Sequence, residues 1–488
     1  MVNWKVPLEQ KKYLNFLLEK GDVNKGLEFI RFLTESIARK NEYTSLILSS
    51  SDLDNFCQKF GAVALKKQSD FKASKISKKG KKVTYLYIVS QILKSGGHTR
   101  LVENFIRADR NGRHIILSTE LVGNSDFSYL ASALKNIMSF EFESAPFGDY
   151  ENILFWLQRR IIEIKADKLF LFNHHEDSVI ISSIQPSMNL NAYYCHHADH
   201  NLALGVYLKE VKHIDFHPMG FFSCKDVLGI KNHYLPLTMY EKGRKKNNVN
   251  KNKFITCTVG NTKKVEDESY SISYIDMIPK ILLATGGSHI HIGDLTNKSL
   301  KRIHRSLLSN NINPNNFIYK PYISNIWKAF HDFNVDLHIA SFPLGAALTF
   351  IEALGAGIPS AVYKNKFSNL LSLQDLTCKG TFLWDDPKKL LEFLSRVDVS
   401  ELQLMGELSR EYFEKNHNGS FLALFIKMGK FKTAPNKINK STYTVNKVLN
   451  KYSFGLIFLI KTFIRKIYFY TRNLIRVVFV KNYFYEKQ

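Results

Sequence analysis

Cysteine is scarce and scattered. The five in 488 residues (Cys57, Cys195, Cys224, Cys257 and Cys378) form no CxxC pair, which excludes a disulfide-stapled scaffold and a cysteine-based zinc site and fits a reducing compartment such as the cytosol. Long apolar runs are also missing. FGLIFLI at 454–460 is among the longest, far short of the roughly 20 residues of a spanning helix. No membrane crossing is expected. The opening MVNWKVPLEQKKYLNFLLEK has no continuous apolar stretch of the kind a secretory leader needs, so export by that route is not expected. Acidic residues are the minority charge: 44 Asp+Glu against 68 Lys+Arg give +24, which suits an anionic partner. No repeat of solenoid period is present.

Apolar material is plentiful. At 45% hydrophobic and 13% aromatic the chain can fill two substantial cores. Residues 1–80 read as a small helical region (YLNFLLEK, GLEFIRFLTESIARK, DLDNFCQKFGAVAL) ending in the basic linker KASKISKKGKK. From 81 to 240 the pattern becomes strand, glycine loop, helix, strand: VTYLYIVS, QILKSGGHTR, LVENFIRADR, HIILSTE. KLFLF, VIISSI at 179–184 and NAYYC are then expected as further strands of a parallel sheet. Residues 241–253, EKGRKKNNVNKNK, read as a second linker. A second α/β series fills 254–430, beginning FITCTVG and closing with helices after 388.

The tail at 431–488 holds twelve basic residues against Glu486 alone. At about 100° per residue, Lys447, Lys451, Lys461, Arg465, Arg472 and Arg476 share one stripe, away from Leu459, Ile460, Phe463, Ile464, Ile467 and Ile475. This predicts a basic amphipathic helix, or two, lying on anionic lipid through 445–488. The alternative is a solvated helix docked on the body. Nucleic acid is not expected as a partner, because no binding motif accompanies the basic residues.

Two α/β halves place a ligand cleft at their strand C-terminal ends. At 341–359, SFPLGAALTFIEALGAGIP, a glycine loop leads into a helix starting near Leu348. Free N–H groups around Gly345, Ala346, Ala347 and Thr349 would face the cleft, ready for phosphate. Glu352, one turn in, is expected to accept both hydroxyls of a ribose, as acidic residues of dinucleotide folds do; a capping or solvent-facing role is the alternative. In TVGNTKKVEDESY at 258–270, Asn261, Lys263 and Lys264 follow the first strand of the second half. A lysine there can neutralise a phosphate in the cleft, with Lys263 slightly preferred to Lys264; charges that merely solvate the loop are the alternative.

The 341–359 segment resembles the nucleotide-sugar site of GT-B glycosyltransferases. FPLGAALTFIE is similar to the FPFG…ID pattern of bacterial protein N-glucosyltransferases related to O-GlcNAc transferase, with Glu352 in place of their aspartate. SGGHTRLVENFI at 95–106 resembles the GG-x-x-R loop that opens the N-terminal domain of many GT-B enzymes, which assigns Gly96, Gly97 and His98 to the acceptor side. The chain departs from the E-G-F-G…E pattern of common retaining members, whose first glutamate is Leu344 here. Their mechanism is therefore not carried over. The resemblance implies two Rossmann-like domains, a nucleotide-diphosphate sugar as donor, and no metal or other cofactor.

The histidine-rich stretches NHHEDS at 173–178 and NAYYCHHADHNLALG at 191–205 follow β-like runs. A general base must take the proton of an acceptor hydroxyl, and histidine suits that work. His197 and Asp199 are the first candidates and His98 the next. Zinc held among His174, His175, His196, His197, Asp199 and His200 is one rival reading, although no ligand spacing fixes a geometry, and an ordinary hydrogen-bonding role for most of these histidines is the other. The resulting expectation is a cytoplasmic glycosyltransferase, peripheral on the inner face of the cell membrane. It would extend a lipid-linked surface glycan such as capsule, O-antigen or teichoic acid. A protein glucosyltransferase, a nucleotide-sugar epimerase of the same fold and a non-catalytic glycan-binding scaffold are the alternatives.

Overall fold

The computed structural model describes residues 2–38, 46–69, 82–94, 96–137, 140–197, 199–244, 253–266, 272–364, 373–432 and 434–435. The basic run at 72–81, most of the 241–253 linker and the amphipathic tail lie outside the described residues. Two parallel sheets organise the rest. In the first, the spatial order is Phe140–Ser144, Arg113–Ser118, Thr84–Val89, Lys168–Phe172, Ala192–His196, Lys212–Asp215 and Asn232–Tyr234. In the second it is Phe317–Lys320, Ser288–Ile292, Ile255–Val259, Leu337–Ile339, Ser360–Tyr363 and Thr381–Trp384. Both orders run third, second, first, fourth and onward in chain sequence, the doubly wound pattern.

Central strands read as continuous apolar runs because helices cover both faces. Tyr85, Tyr87 and Val89 enter one core and Leu86 and Ile88 the other, as the two-residue strand period requires. The second core is completed by the helices Leu8–Glu19, Val23–Ala38 and Ser51–Lys66. These N-terminal helices therefore form a layer on the first sheet. Asp54 ties them to it, its carboxylate accepting from the N–H groups of Gly205 at 2.7 Å and Tyr207 at 2.9 Å.

The first core continues into the second sheet's helices and into the last described helix, Ser420–Met428. Phe425 on that helix packs edge-on against Tyr193 at 5.4 Å and Phe170 at 6.1 Å. The chain thus returns to its first half. No helix among the described residues is long and apolar enough to cross a membrane.

One expected strand is a helix. The first five residues of VIISSI lie in the helix Ser178–Ser183, where Asp177 caps the first turn by accepting from Val179 and Ile180 N–H, and Ile184 is its extended C-cap. All six residues are buried, so the run shows no amphipathic period and its apolar content cannot separate helix from strand.

Candidate functional site

In the second sheet the order reverses between Ile255–Val259 and Leu337–Ile339, which pair directly through Thr256 with Leu337 and Cys257 with His338. The connections leaving these two strands go to opposite sides, and a crevice opens at their ends. The loop after the first strand is Gly260–Asn261, followed by the short helix Thr262–Val265. Lys264 turns inward from it, its Nζ donating to the Gly345 carbonyl at 2.6 Å. Burial pushes this ammonium down to about 8. Lys263, the neighbour on the other face, is exposed. Asn261 occupies the N-cap position without a side-chain cap bond.

The loop after the second strand is shaped by Ser341 Oγ, which donates to the Leu344 carbonyl at 2.8 Å. At Gly345 a Cβ would stand 2.3 Å from Leu373 Cγ, so only glycine lets the backbone approach so closely. The helix Ala347–Ala356 begins at Ala346, which has no side chain able to cap it, and ends at Gly357 with φ 72°. Its first N–H groups and the positive end of its dipole face the crevice. Thr349 lies in its first turn, half-buried.

Glu352 follows. Side chains on a helix lean toward its N-terminus, which aims this carboxylate back at the loop. It is 5% exposed, and its Oε1 has no hydrogen-bond partner. Lys242 Nζ lies 3.9 Å away. Burial pushes the carboxyl up, opposed by the positive charges of Lys242 and Arg100. Leaving such a group unsatisfied costs on the order of 1–3 kcal/mol, so it calls for a functional explanation.

The first sheet reverses between Thr84–Val89 and Lys168–Phe172. Gly96, at φ 135°, turns the chain into the helix Gly97–Ala108. His98 Nε2 bonds the Phe172 carbonyl at 2.7 Å; a carbonyl only accepts, so Nε2 carries the proton. His197 stacks on His98 with ring centroids 5.0 Å apart at 14°. Its Nδ1 bonds the Cys195 carbonyl at 3.1 Å, which by the same logic leaves the Nε2 lone pair available. Burial pushes His98 down to about 4, and burial followed by the neighbouring His98 holds His197 well below the ordinary histidine range. Both rings are neutral at physiological pH.

Asp199 is not part of this pair. It packs on Gly220, where a Cβ would stand 2.5 Å from Asp199 Oδ2. Burial would raise its carboxyl, but His217, His200 and His196 together outweigh that and hold it below the ordinary value. His217 is in turn pushed up to about 9, with burial overcome by Asp199 and Asp375. Its Nδ1 is 3.6 Å from Asp375 Oδ2. Asp375 comes from the second half of the chain, so this cluster links the two halves.

The rival metal-ligand set is divided. His174 and His175 close on Glu176, His196 turns to Asp215, and His200 lies beside Asp199 with 3.9 Å between Nδ1 and Oδ1.

The two sides meet at their helix starts. A Cβ on Gly97 would stand 3.4 Å from Leu348 Cδ1. One turn on, Arg100 bonds Glu103 at 3.0 Å and the Ser324 carbonyl, and Tyr322 donates to the Lys94 carbonyl at 3.3 Å. The helix that carries His98 and the helix that carries Glu352 are thus neighbours at their starts. Sequence reasoning passed over Arg100, Lys242, His217 and Asp375. Arg100 alone had a signal, as the arginine of the GG-x-x-R stretch.

No protein-family model matches the chain, and no curated protein matches it either. Among solved structures it is similar to HepE of Anabaena, crystallised with UDP and glucose. The TM-score is 0.51 at 12% identity, over 70% of this chain and 97% of that one. It is also similar to the lipopolysaccharide outer core galactosyltransferase WaaB in its apo form, with TM-score 0.50 at 13% identity over 71% of this chain and 100% of that one. At these identities the likeness is one of fold. The chain is an α/β protein with the GT-B fold, two Rossmann-like domains facing across a crevice.

Proposed function

We propose that the chain is a glycosyltransferase that moves a sugar from a nucleotide-diphosphate sugar to an acceptor hydroxyl. The observation that carries this reading is Glu352, a buried carboxylate on the helix that follows the glycine loop, with an oxygen that accepts no hydrogen bond. Ribose hydroxyls donate to it. The diphosphate lies against the uncapped start of Ala347–Ala356, where Lys264 exchanges the Gly345 carbonyl for a phosphate oxygen. When the bond from the anomeric carbon to the diphosphate breaks, charge builds on the leaving oxygen, and the ammonium and backbone N–H groups stabilise it. These groups supply the charge neutralisation for which a divalent ion would otherwise serve. The acceptor oxygen forms the new glycosidic bond, and His197 Nε2 takes its proton. HepE was crystallised with UDP and glucose, and WaaB is named as a galactosyltransferase; the reading is in keeping with both.

Slow hydrolysis of a nucleotide sugar by the purified protein, with no acceptor added, tests this. Release of nucleoside diphosphate is the expected result, and its absence across a panel of donors would favour a non-catalytic scaffold. His197→Ala is expected to lower transfer by on the order of 100-fold or more with donor affinity kept. An unchanged rate would move the role to Asp199 or His98.

The acceptor class follows from the basic, amphipathic composition of 431–488: a lipid-linked surface glycan, met by a chain peripheral on the inner membrane face. Deleting 445–488 is expected to abolish sedimentation with anionic liposomes while leaving donor hydrolysis nearly intact. High salt should mimic the deletion, because exposed charges are screened over about 8 Å at physiological ionic strength. Binding that survives both treatments would contradict the tail's role in holding the chain on lipid.

A further inference from the structure

Behind His197, at the ends of the strands that carry it, four potential ligands from three elements converge. His196 closes the strand Ala192–His196, His213 and Asp215 lie two apart on Lys212–Asp215, and Cys224 sits on the π-helical turn Ser223–Val227. All four are buried, none more than 3% exposed. One donor atom from each lies within 4.8 Å of all the others. Asp215 Oδ1 is 2.9 Å from His196 Nδ1, 3.2 Å from His213 Nε2 and 3.5 Å from Cys224 Sγ, and that sulfur is 3.5 Å from His196 Nδ1.

We propose that His196, His213, Asp215 and Cys224 form a structural site for one divalent transition metal ion, with zinc the fitting choice. Tetrahedral zinc, with bonds of about 2.0–2.1 Å to nitrogen or oxygen and about 2.3 Å to sulfur, sets its ligands about 3.3 Å apart, or about 3.6 Å where sulfur is one of them. The sulfur contacts at 3.5 Å and the His213 contact at 3.2 Å are close to these values, and the His196 contact at 2.9 Å is shorter. Charge agrees as well. One thiolate, one carboxylate, two neutral imidazoles and a dication sum to zero, so the buried group carries no net charge to be desolvated. Without an ion, two acidic groups and two imidazoles crowd one point.

An outer shell is built behind the carboxylate, while His196 Nε2 and His213 Nδ1 have no hydrogen-bond partner. Asp215 Oδ2 accepts from Asn232 Nδ2 at 2.5 Å, and the same amide reaches the Phe221 carbonyl at 2.9 Å. This leaves Oδ1 directed at the other donors, the usual role of a partner behind a metal ligand. The thiol proton is released to water on binding. Mixed sulfur and nitrogen donors in a closed four-ligand set favour zinc over magnesium or calcium. The other histidine grouping, His174, His175 and Glu176, lacks a thiolate, and the positive charge of Arg31 already acts on Glu176.

The ion would fix the strand end from which His197 projects, but it touches neither donor nor acceptor. The test therefore needs no substrate. The purified full-length chain should contain about one zinc per molecule. After removal of metal with a chelator, titration with cobalt(II) alone should produce a thiolate-to-cobalt charge-transfer band that saturates near one equivalent and is displaced by zinc. Cys224→Ser should lose the band while Cys378→Ser retains it, and chelation should lower the melting temperature of the wild type and of Cys378→Ser but not that of Cys224→Ser. The cobalt titration uses the unmutated chain, so it does not depend on any variant folding. Protein that purifies without metal and gives no charge-transfer band would overturn the proposal and leave the four residues as a hydrogen-bonded cluster.

Discussion

Replacing Lys264 by methionine is expected to lower turnover by on the order of 100- to 1,000-fold, the usual effect of removing one preorganised group from the site of developing negative charge. Methionine keeps much of the apolar stem and removes the ammonium. Donor binding should weaken less than turnover falls, because charge on the leaving oxygen is greatest in the transition state. The pH dependence carries the same signature. With the free protein's ammonium pushed down to about 8, the charged form is lost as pH rises through that value, so kcat/KM should fall on the alkaline side. A bound diphosphate favours the ammonium, and under saturating donor the fall in kcat should move to higher pH. In Lys264→Met the limb should vanish. A variant with wild-type turnover and an unchanged limb would transfer the role to Lys263.

Glu352→Gln is expected to weaken nucleotide binding by roughly ten- to a hundred-fold. The amide keeps one acceptor but loses the charge-assisted part of a paired hydrogen bond, worth about 1.5–3 kcal/mol, and each 1.4 kcal/mol is about tenfold. The fold should survive, since the substitution removes a buried charge and preserves shape. A 2′,3′-dideoxy nucleotide should bind wild type and variant about equally poorly, because the hydroxyls that distinguish them are gone. If Glu352→Gln lowers the melting temperature and leaves nucleotide affinity unchanged, the carboxylate is structural and the donor site loses its anchor.

Glu352 was legible in the sequence because a lone carboxylate in an apolar helix after a glycine loop has few structural reasons to be there. The alternation of strands and helices was legible for a related reason: strands covered on both faces form short unbroken apolar runs. The same property hid Ser178–Ser183, whose burial on every side erased its period. Edge strands were hidden differently. Phe140–Ser144 reads FEFES, with glutamates at an exposed border, and Asn232–Tyr234 is three residues long.

The choice between Lys263 and Lys264 depends on the rotation of a four-residue helix, which no local pattern encodes. Lys242 sits in a run of charges with nothing to mark it as the one beside Glu352. The grouping of Cys224 with His196, His213 and Asp215 depends on neighbouring strand ends and one turn. Scattered cysteines without a CxxC pair argued against a metal site, yet a site assembled by the sheet needs only one of them.

The most direct measurement is calorimetric titration of the full-length chain with a panel of nucleoside diphosphates and their sugar esters. The account predicts one site per chain, occupied by at least one nucleotide sugar, with affinity reduced ten- to a hundred-fold by Glu352→Gln. If no nucleoside diphosphate or nucleotide sugar binds the folded chain, the crevice is not a donor site and the proposed transfer reaction is contradicted.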